Sequence, residues 1–204
     1  MQKVNGYKIF LTMNFLEKKI LSDGVINPGN VLKIDNFLNH QIDIDIMRQI
    51  AQEIKRRFKG KEINKILTIE ASGIAIATMV ADLYDAPVVF AKKGQTVNST
   101  DDKYVATAYS FTHKRMNQIF VSRPYLTSAD KVLIVDDFLA DGEASHALID
   151  LVKQAGGKVV GLGIAVEKGQ QKGGERLREE GYHLESIAII DQMDYITQTI
   201  KFRE

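Results

Sequence analysis

Val132-Leu133-Ile134-Val135-Asp136-Asp137-Phe138-Leu139-Ala140-Asp141-Gly142-Glu143-Ala144-Ser145 is the stretch that decides how this chain folds. Val132 to Val135 is apolar on both faces, as a strand in the middle of a parallel sheet must be. Asp136-Asp137 ends that strand, a short loop crosses Gly142, and a helical pattern runs on to Ala155. Leu148, Leu151, Val152 and Ala155 form the inward stripe of this helix, and Gly156-Gly157 stops it. Parallel sheets bind ligands beyond the carboxyl ends of their strands. Two acids placed there can accept hydrogen bonds from paired sugar hydroxyls. The helix N-terminus after them favours a phosphate, through free N–H groups and its dipole, and Gly142 lets the backbone come close. Acids, glycine and helix together suit a ribose 5-phosphate. On spacing alone the same residues also read as an acid capping the next helix with Gly142 as a turn, and the two readings stand side by side.

Outward from this unit, strand-like apolar runs alternate with helical patterns, which is the signature of an α/β fold. Ile42, Ile46, Ile50, Ile54 and Phe58 recur every four residues and predict a helix with one apolar face, Arg56 and Arg57 in its last turn and Gly60 as its stop. Lys65 to Ile69 predicts a buried strand, followed by Glu70-Ala71-Ser72-Gly73, a helix over Ile74 to Tyr84 and a strand over Pro87 to Ala91. Residues 92 to 104 are polar and aperiodic, and Val105 to Phe111 with Met116 to Val121 predict a hairpin. Downstream come a strand over Val159 to Val166, a short charged helix over Gly174 to Glu180, a core strand over Ile187 to Ile190 and an alternating edge strand over Tyr195 to Phe202. No linker or repeat interrupts this order, and 204 residues suit one sizeable core.

The 27 basic and 26 acidic residues leave a net charge of +1, too little to hold nucleic acid or an anionic membrane by field alone. There is no cysteine, which excludes disulfides, thiolate catalysis and cysteine-ligated zinc. Met1 to Thr12 is too short for a signal peptide with its cleavage site, and no run reaches membrane-spanning length, so a soluble cytoplasmic protein is the default expectation. His40, His113, His146 and His183 show no ligand spacing and read as structural or exposed. Gly161-Leu162-Gly163 has no helix after it and is no nucleotide fingerprint. Arg56-Arg57 and the charged run from Glu175 to Glu180 read as solvated faces.

The segment from Val132 to Ala144 resembles the motif by which type I phosphoribosyltransferases bind phosphoribosyl diphosphate (PRPP): an apolar strand, two acids, two variable residues and a small-residue loop with glycine. The usual loop carries threonine where Asp141 and Ala144 stand, and the alanine-ended version resembles the branch of the family that takes xanthine. Val31 to Gln41 (VLKIDNFLNHQ) resembles the purine-side N-terminal segment of that branch, and Ile69-Glu70-Ala71-Ser72-Gly73-Ile74 the diphosphate loop. Val89-Phe90-Ala91-Lys92-Lys93 resembles the basic strand end beside that loop, and Ala108-Tyr109-Ser110-Phe111-Thr112 the return strand of the catalytic hood. Val166-Glu167-Lys168 is similar to the segment whose lysine faces the base. The likeness begins near Met13, which leaves residues 1–12 as an N-terminal extension and 13–204 as the phosphoribosyltransferase domain.

The resemblance implies a central, mainly parallel sheet flanked by helices, with a small hood and a mobile loop. It implies a purine-salvage glycosyltransferase that joins xanthine to PRPP, the latter carrying Mg2+, with no nucleic-acid or membrane partner and typically as a homodimer. Asp136 and Asp137 would be the catalytic acids on the ribose, and Ala140, Asp141, Gly142, Glu143, Ala144 and Ser145 the 5-phosphate cradle. Glu70, Ala71, Ser72, Gly73, Lys92 and Lys93 would meet the diphosphate, and Leu32, Asn39 and Lys168 the base. Residues 94–107 would close as a lid, and no protein ligand set for metal is assigned. Two other readings remain at this point. One is a sister enzyme for adenine, or for hypoxanthine and guanine. The other is a PRPP-sensing transcriptional regulator, whose winged-helix domain needs more than the thirty or so residues that precede Val31.

Overall fold

The computed structural model describes residues 13–94, 102–110 and 115–203. The expectations for residues 1–12, for 95–101 of the lid and for Phe111 and Thr112 of the hood lie outside those residues. In chain order the strands are β1 (Val25–Asn27), β2 (Val31–Lys33), β3 (Lys65–Ile69), β4 (Val88–Lys93) and β5 (Lys103–Ser110). They continue as β6 (Arg115–Ser122), β7 (Lys131–Leu139), β8 (Lys158–Lys168), β9 (Leu184–Asp194) and β10 (Thr199–Phe202). The helices are α1 (Phe15–Asp23), α2 (Ile44–Arg57), α3 (Gly73–Tyr84), α4 (Glu143–Gln154) and α5 (Gly173–Glu179).

β3 to β10 form an eight-stranded sheet in the order β10-β9-β8-β7-β3-β4-β6-β5. Its centre, β9-β8-β7-β3-β4, is parallel throughout, and β10, β6 and β5 join antiparallel at the edges. Alternation along β7 divides its apolar residues between two cores. Leu133 and Val135 enter the core of α1, α2 and α3, whereas Val132 and Ile134 enter that of α4 and the β5–β6 hairpin. A sheet covered on both faces explains why these strands read as unbroken apolar runs.

The side chain of Asp43 caps α2, accepting from the N–H groups of Asp45 and Ile46. Ile46, Met47, Ile50, Ala51 and Ile54 are buried behind it. Ile42 stands before the cap and is exposed, so the four-residue pattern extends one step too far. Asn14 and Glu17 form a capping box for α1, a helix that apolar periodicity alone does not announce. The β1–β2 hairpin is also new, as is a π-helical turn over Asp35–Asn39. This hairpin is tied to the β9–β10 turn, where Tyr195 N donates to Asn30 Oδ1 at 2.9 Å.

Four further expectations change. β7 does not stop at Asp136, because Asp136 and Phe138 still pair in register with Ile164 and Val166 of β8. Residues 103–107 of the expected lid are strand, paired with residues 122–118 of β6. The edge strand shortens to β10, since the chain turns at Gln198, whose φ is +52°. Arg57 is no solvated residue: its guanidinium donates to Ser186 O at 2.7 Å and to Glu53 at 2.7 Å. Among the described residues no helix is long and apolar enough to cross a membrane.

Candidate active site

β7 carries its two acids to the carboxyl end of the sheet, and the chain then loops through Ala140–Gly142 into α4. Gly142 is the N-cap of α4 with φ +89°, a conformation that glycine adopts without penalty. Glu143 N donates to Asp141 Oδ1 at 3.2 Å. Beneath the loop lies the start of α5, where Gly173 N donates to Ala140 O at 3.2 Å. A Cβ on Gly173 would fall 2.4 Å from Ala140 O and 2.5 Å from Gly142 N. The floor of the loop is therefore backbone packed on backbone, and Gly173 is a site residue that the sequence reading missed. Its one local signal is the Gly173-Gly174 pair, which had been read as a helix beginning at Gly174.

Asp136 and Asp137 are both buried, and Asp137 N donates to Asp136 Oδ1 at 3.0 Å. Burial pushes the Asp136 carboxyl well above the usual carboxylate range, the charge of Asp137 adds to this, and Lys93 pulls the other way. Two adjacent buried acids offer oxygens suited to sugar hydroxyls, and the charge the pair carries favours a cationic sugar carbon. α3 closes the centre from β3. A Cβ on Gly73 would meet Thr68 Oγ1 and would lie 2.9 Å from Asp136 Oδ1, so glycine is needed at this approach. Thr68 Oγ1 is buried and has no partner among the described residues. The Glu70–Ala71 peptide, between Thr68 and Gly73, is cis, and Glu70 Oε1 accepts from Lys93 N at 2.5 Å.

The structure separates the two lysines expected at the diphosphate. Successive strand residues point to opposite faces. Lys93 pairs with buried Ile119 and acts on the charge of Asp136, whereas Lys92 pairs with Phe120. Lys92 lines a different cleft of about 640 Å3, with Phe90, Phe120, Lys65 and Tyr125. On the far side of β7, Lys168 Nζ lies 5.6 Å from the ring centroid of Phe138. Phe138 packs on the same apolar cluster that contains Leu32. Asn39 ends the π-helical turn and is exposed.

Next to Lys168, Glu167 is fully buried and pairs with both ends of the Arg178 guanidinium at 2.8 and 2.7 Å. Ser186 Oγ donates to it as well. Burial alone would raise this carboxyl, but Arg178 and Ser186 outweigh burial and hold it below the usual range. Arg178 thus anchors α5 to β8 through a buried carboxylate while its own side chain stays exposed on the charged face.

An acid pair on a central strand, a glycine loop entering a helix and a facing loop from the neighbouring strand thus stand together at the carboxyl end of the sheet. Residues 33–196 match the phosphoribosyl transferase domain, and the chain belongs to that family. It is 51% identical over 191 residues to the xanthine phosphoribosyltransferase of Lachnoclostridium phytofermentans, covering 94% of this chain and 98% of that one. It is 52% identical over 192 residues to the xanthine phosphoribosyltransferase of Bifidobacterium adolescentis, covering 94% of this chain and all of that one. The solved adenine phosphoribosyltransferase of Rhodothermus marinus shares the fold, with a TM-score of 0.70 at 24% identity over 85% of this chain and 97% of that one.

Proposed function

We propose that this chain transfers the 5-phosphoribosyl group of PRPP to xanthine, forming xanthosine monophosphate and diphosphate. One observation carries the reading: the buried acids of β7 run directly into a glycine loop that rests on Gly173 at the N-terminus of α4. Two relatives about half identical over nearly the whole chain, both named for xanthine, support that choice of base.

In the proposed reaction the anomeric carbon–oxygen bond breaks and diphosphate leaves with its electron pair. The purine nitrogen bonds to the same carbon through an oxocarbenium-like sugar, and its proton is released to solvent or to the departing diphosphate. Asp136 and Asp137 hold the ribose hydroxyls and offset the charge that develops on the sugar. Loop residues 140–145 hold the 5-phosphate with N–H groups that the helix leaves free. The Glu70–Gly73 loop and Lys93 receive the diphosphate. Lys168 donates to a carbonyl of the base beside Phe138, with Leu32 and Asn39 proposed for its other edge.

Magnesium would enter as part of the PRPP complex, beside the Glu70–Gly73 loop and Lys93. Bound there, it neutralises charge on the departing diphosphate. A cytoplasmic homodimer completes the proposal, its pairing supported by the family and checkable by sedimentation.

Purified protein with PRPP, magnesium and each of xanthine, guanine, hypoxanthine and adenine tests the base. Nucleotide formation should give the highest kcat/KM for xanthine and none for adenine. Adenine as the best substrate would remove the base assignment.

A further inference from the structure

The phosphate loop is braced by a side chain that the reaction above does not use. His146 lies in the first turn of α4, with Nδ1 2.8 Å from Gly142 O. Its Nε2 lies 2.9 and 3.1 Å from the two carboxylate oxygens of Glu180. Gly142 O also accepts the backbone N–H of His146 at 2.9 Å, so the pivot carbonyl of the loop is held twice by one residue. Glu180 closes α5, its own N–H donating to Arg176 O at 2.9 Å. The other end of α5 is Gly173, pressed against the same loop. The short helix therefore touches the loop at its first residue and reaches it again from its C-cap, through the imidazole.

We propose that His146 is a positioning residue for the 5-phosphate. By bridging Gly142 O to Glu180 it fixes the tilt of the loop on α5, and with it the direction of the peptide N–H groups that meet the phosphate. This deepens the PRPP reading and rests on it. The chemistry of the ring suits the role. A carbonyl oxygen only accepts, so Nδ1 carries a proton, and Nε2 donates to the carboxylate when the ring is charged. Other charges around the bridge tighten the same joint. Arg176 Nη1 is 3.7 Å from Glu143 Oε1, a second tie between α5 and the loop, and Lys153 interacts with Glu180 from α4. The side chains of His146 and Glu180 are 26% and 43% exposed. Such a pair adds little to global stability, so its effect should appear in ligand affinity and not in melting.

Ribose 5-phosphate binding by calorimetry and steady-state kinetics for both substrates, on the full chain and its variants, decide the matter. His146→Ala should weaken ribose 5-phosphate and raise the KM for PRPP about tenfold, by misplacing the loop. The KM for xanthine should stay within about twofold and the Tm within about 2 °C, as expected for an exposed pair. Glu180→Gln should move the same quantities less, in the same direction. His146→Asn retains an N–H for Gly142 O and should fall between wild type and alanine. Unchanged ribose 5-phosphate affinity in His146→Ala would overturn the proposal. So would equal losses for both substrates with a lowered Tm, or asparagine behaving as alanine does. Absence of ribose 5-phosphate binding by the wild type would instead strike the phosphate reading itself.

Discussion

β7 carries two like charges near its carboxyl end, Asp136-Asp137, and β4 ends in Lys92-Lys93, and the sheet treats the two pairs differently. β7 has β3 on one side and β8 on the other, with cores on both faces, so both its acids are buried. Confining two carboxylates there raises the pKa of Asp136, and neither acid makes an ion pair with a cation among the described residues. β4 lies between β3 and the hairpin, and its lysines remain exposed on opposite faces. Only Lys93 is turned toward the acids, and Lys92 belongs to the outer cleft. Position in the sheet decides whether a charged pair acts as one centre or as two separate residues.

The largest effect that can break this comparison concerns the rigid side. Gly173→Ala drives a Cβ into Ala140 O and Gly142 N, which are backbone and cannot step aside. The kcat/KM for PRPP should fall by about a hundredfold or more while circular dichroism stays native. Survival within tenfold would mean that the loop is softer than its packing implies. Next comes the split between the lysines. Lys93→Ala should cost about tenfold in kcat/KM for PRPP, and Lys92→Ala clearly less, because only Lys93 faces the site. Equal losses measured side by side would abolish the distinction.

The smallest effect concerns stability. Because the folded-state pKa of Asp136 is raised, its ionisation opposes folding. The carboxyl is harmless below the ordinary aspartate range, and stability is lost as pH rises toward the folded-state value. Asp136→Asn should therefore lift the Tm by about 3 °C at pH 7, from roughly 1 kcal/mol of relieved burial, while turnover drops. The gap should narrow on acidification. A Tm lowered by the substitution would show that the acid is held by contacts that outweigh its burial.

Much of this was legible in the residues, and the losses have physical causes. The order of helices and central strands follows from apolar period, which is strongest where both faces are covered. β1 and β2 are three residues each, too short for any period to register. Charges at Asp136-Asp137 read as a strand end, because only tertiary burial tells that pairing continues to Leu139. The lysine split was within reach, since the alternation of Val88 and Phe90 extends to Lys92. Leu32 and Asn39 rested on resemblance alone, and no local pattern marks them. The Glu167–Arg178–Ser186 cluster and the His146–Glu180 bridge join positions 11 to 34 residues apart, so no local window holds both partners.

Glu167 and Lys168 are successive residues of β8. The first anchors the helix under the phosphate loop, and the second is the cation proposed for the base. In the proposed reading one strand is thus a common ruler for both ends of the nucleotide. The two grips sit about one strand step, some 3.3 Å, apart along the backbone, and neither can drift without dragging the other. Manufacturing tolerance at this site is set once, in a single strand, and any substitution that slides β8 mis-sets both grips by the same amount.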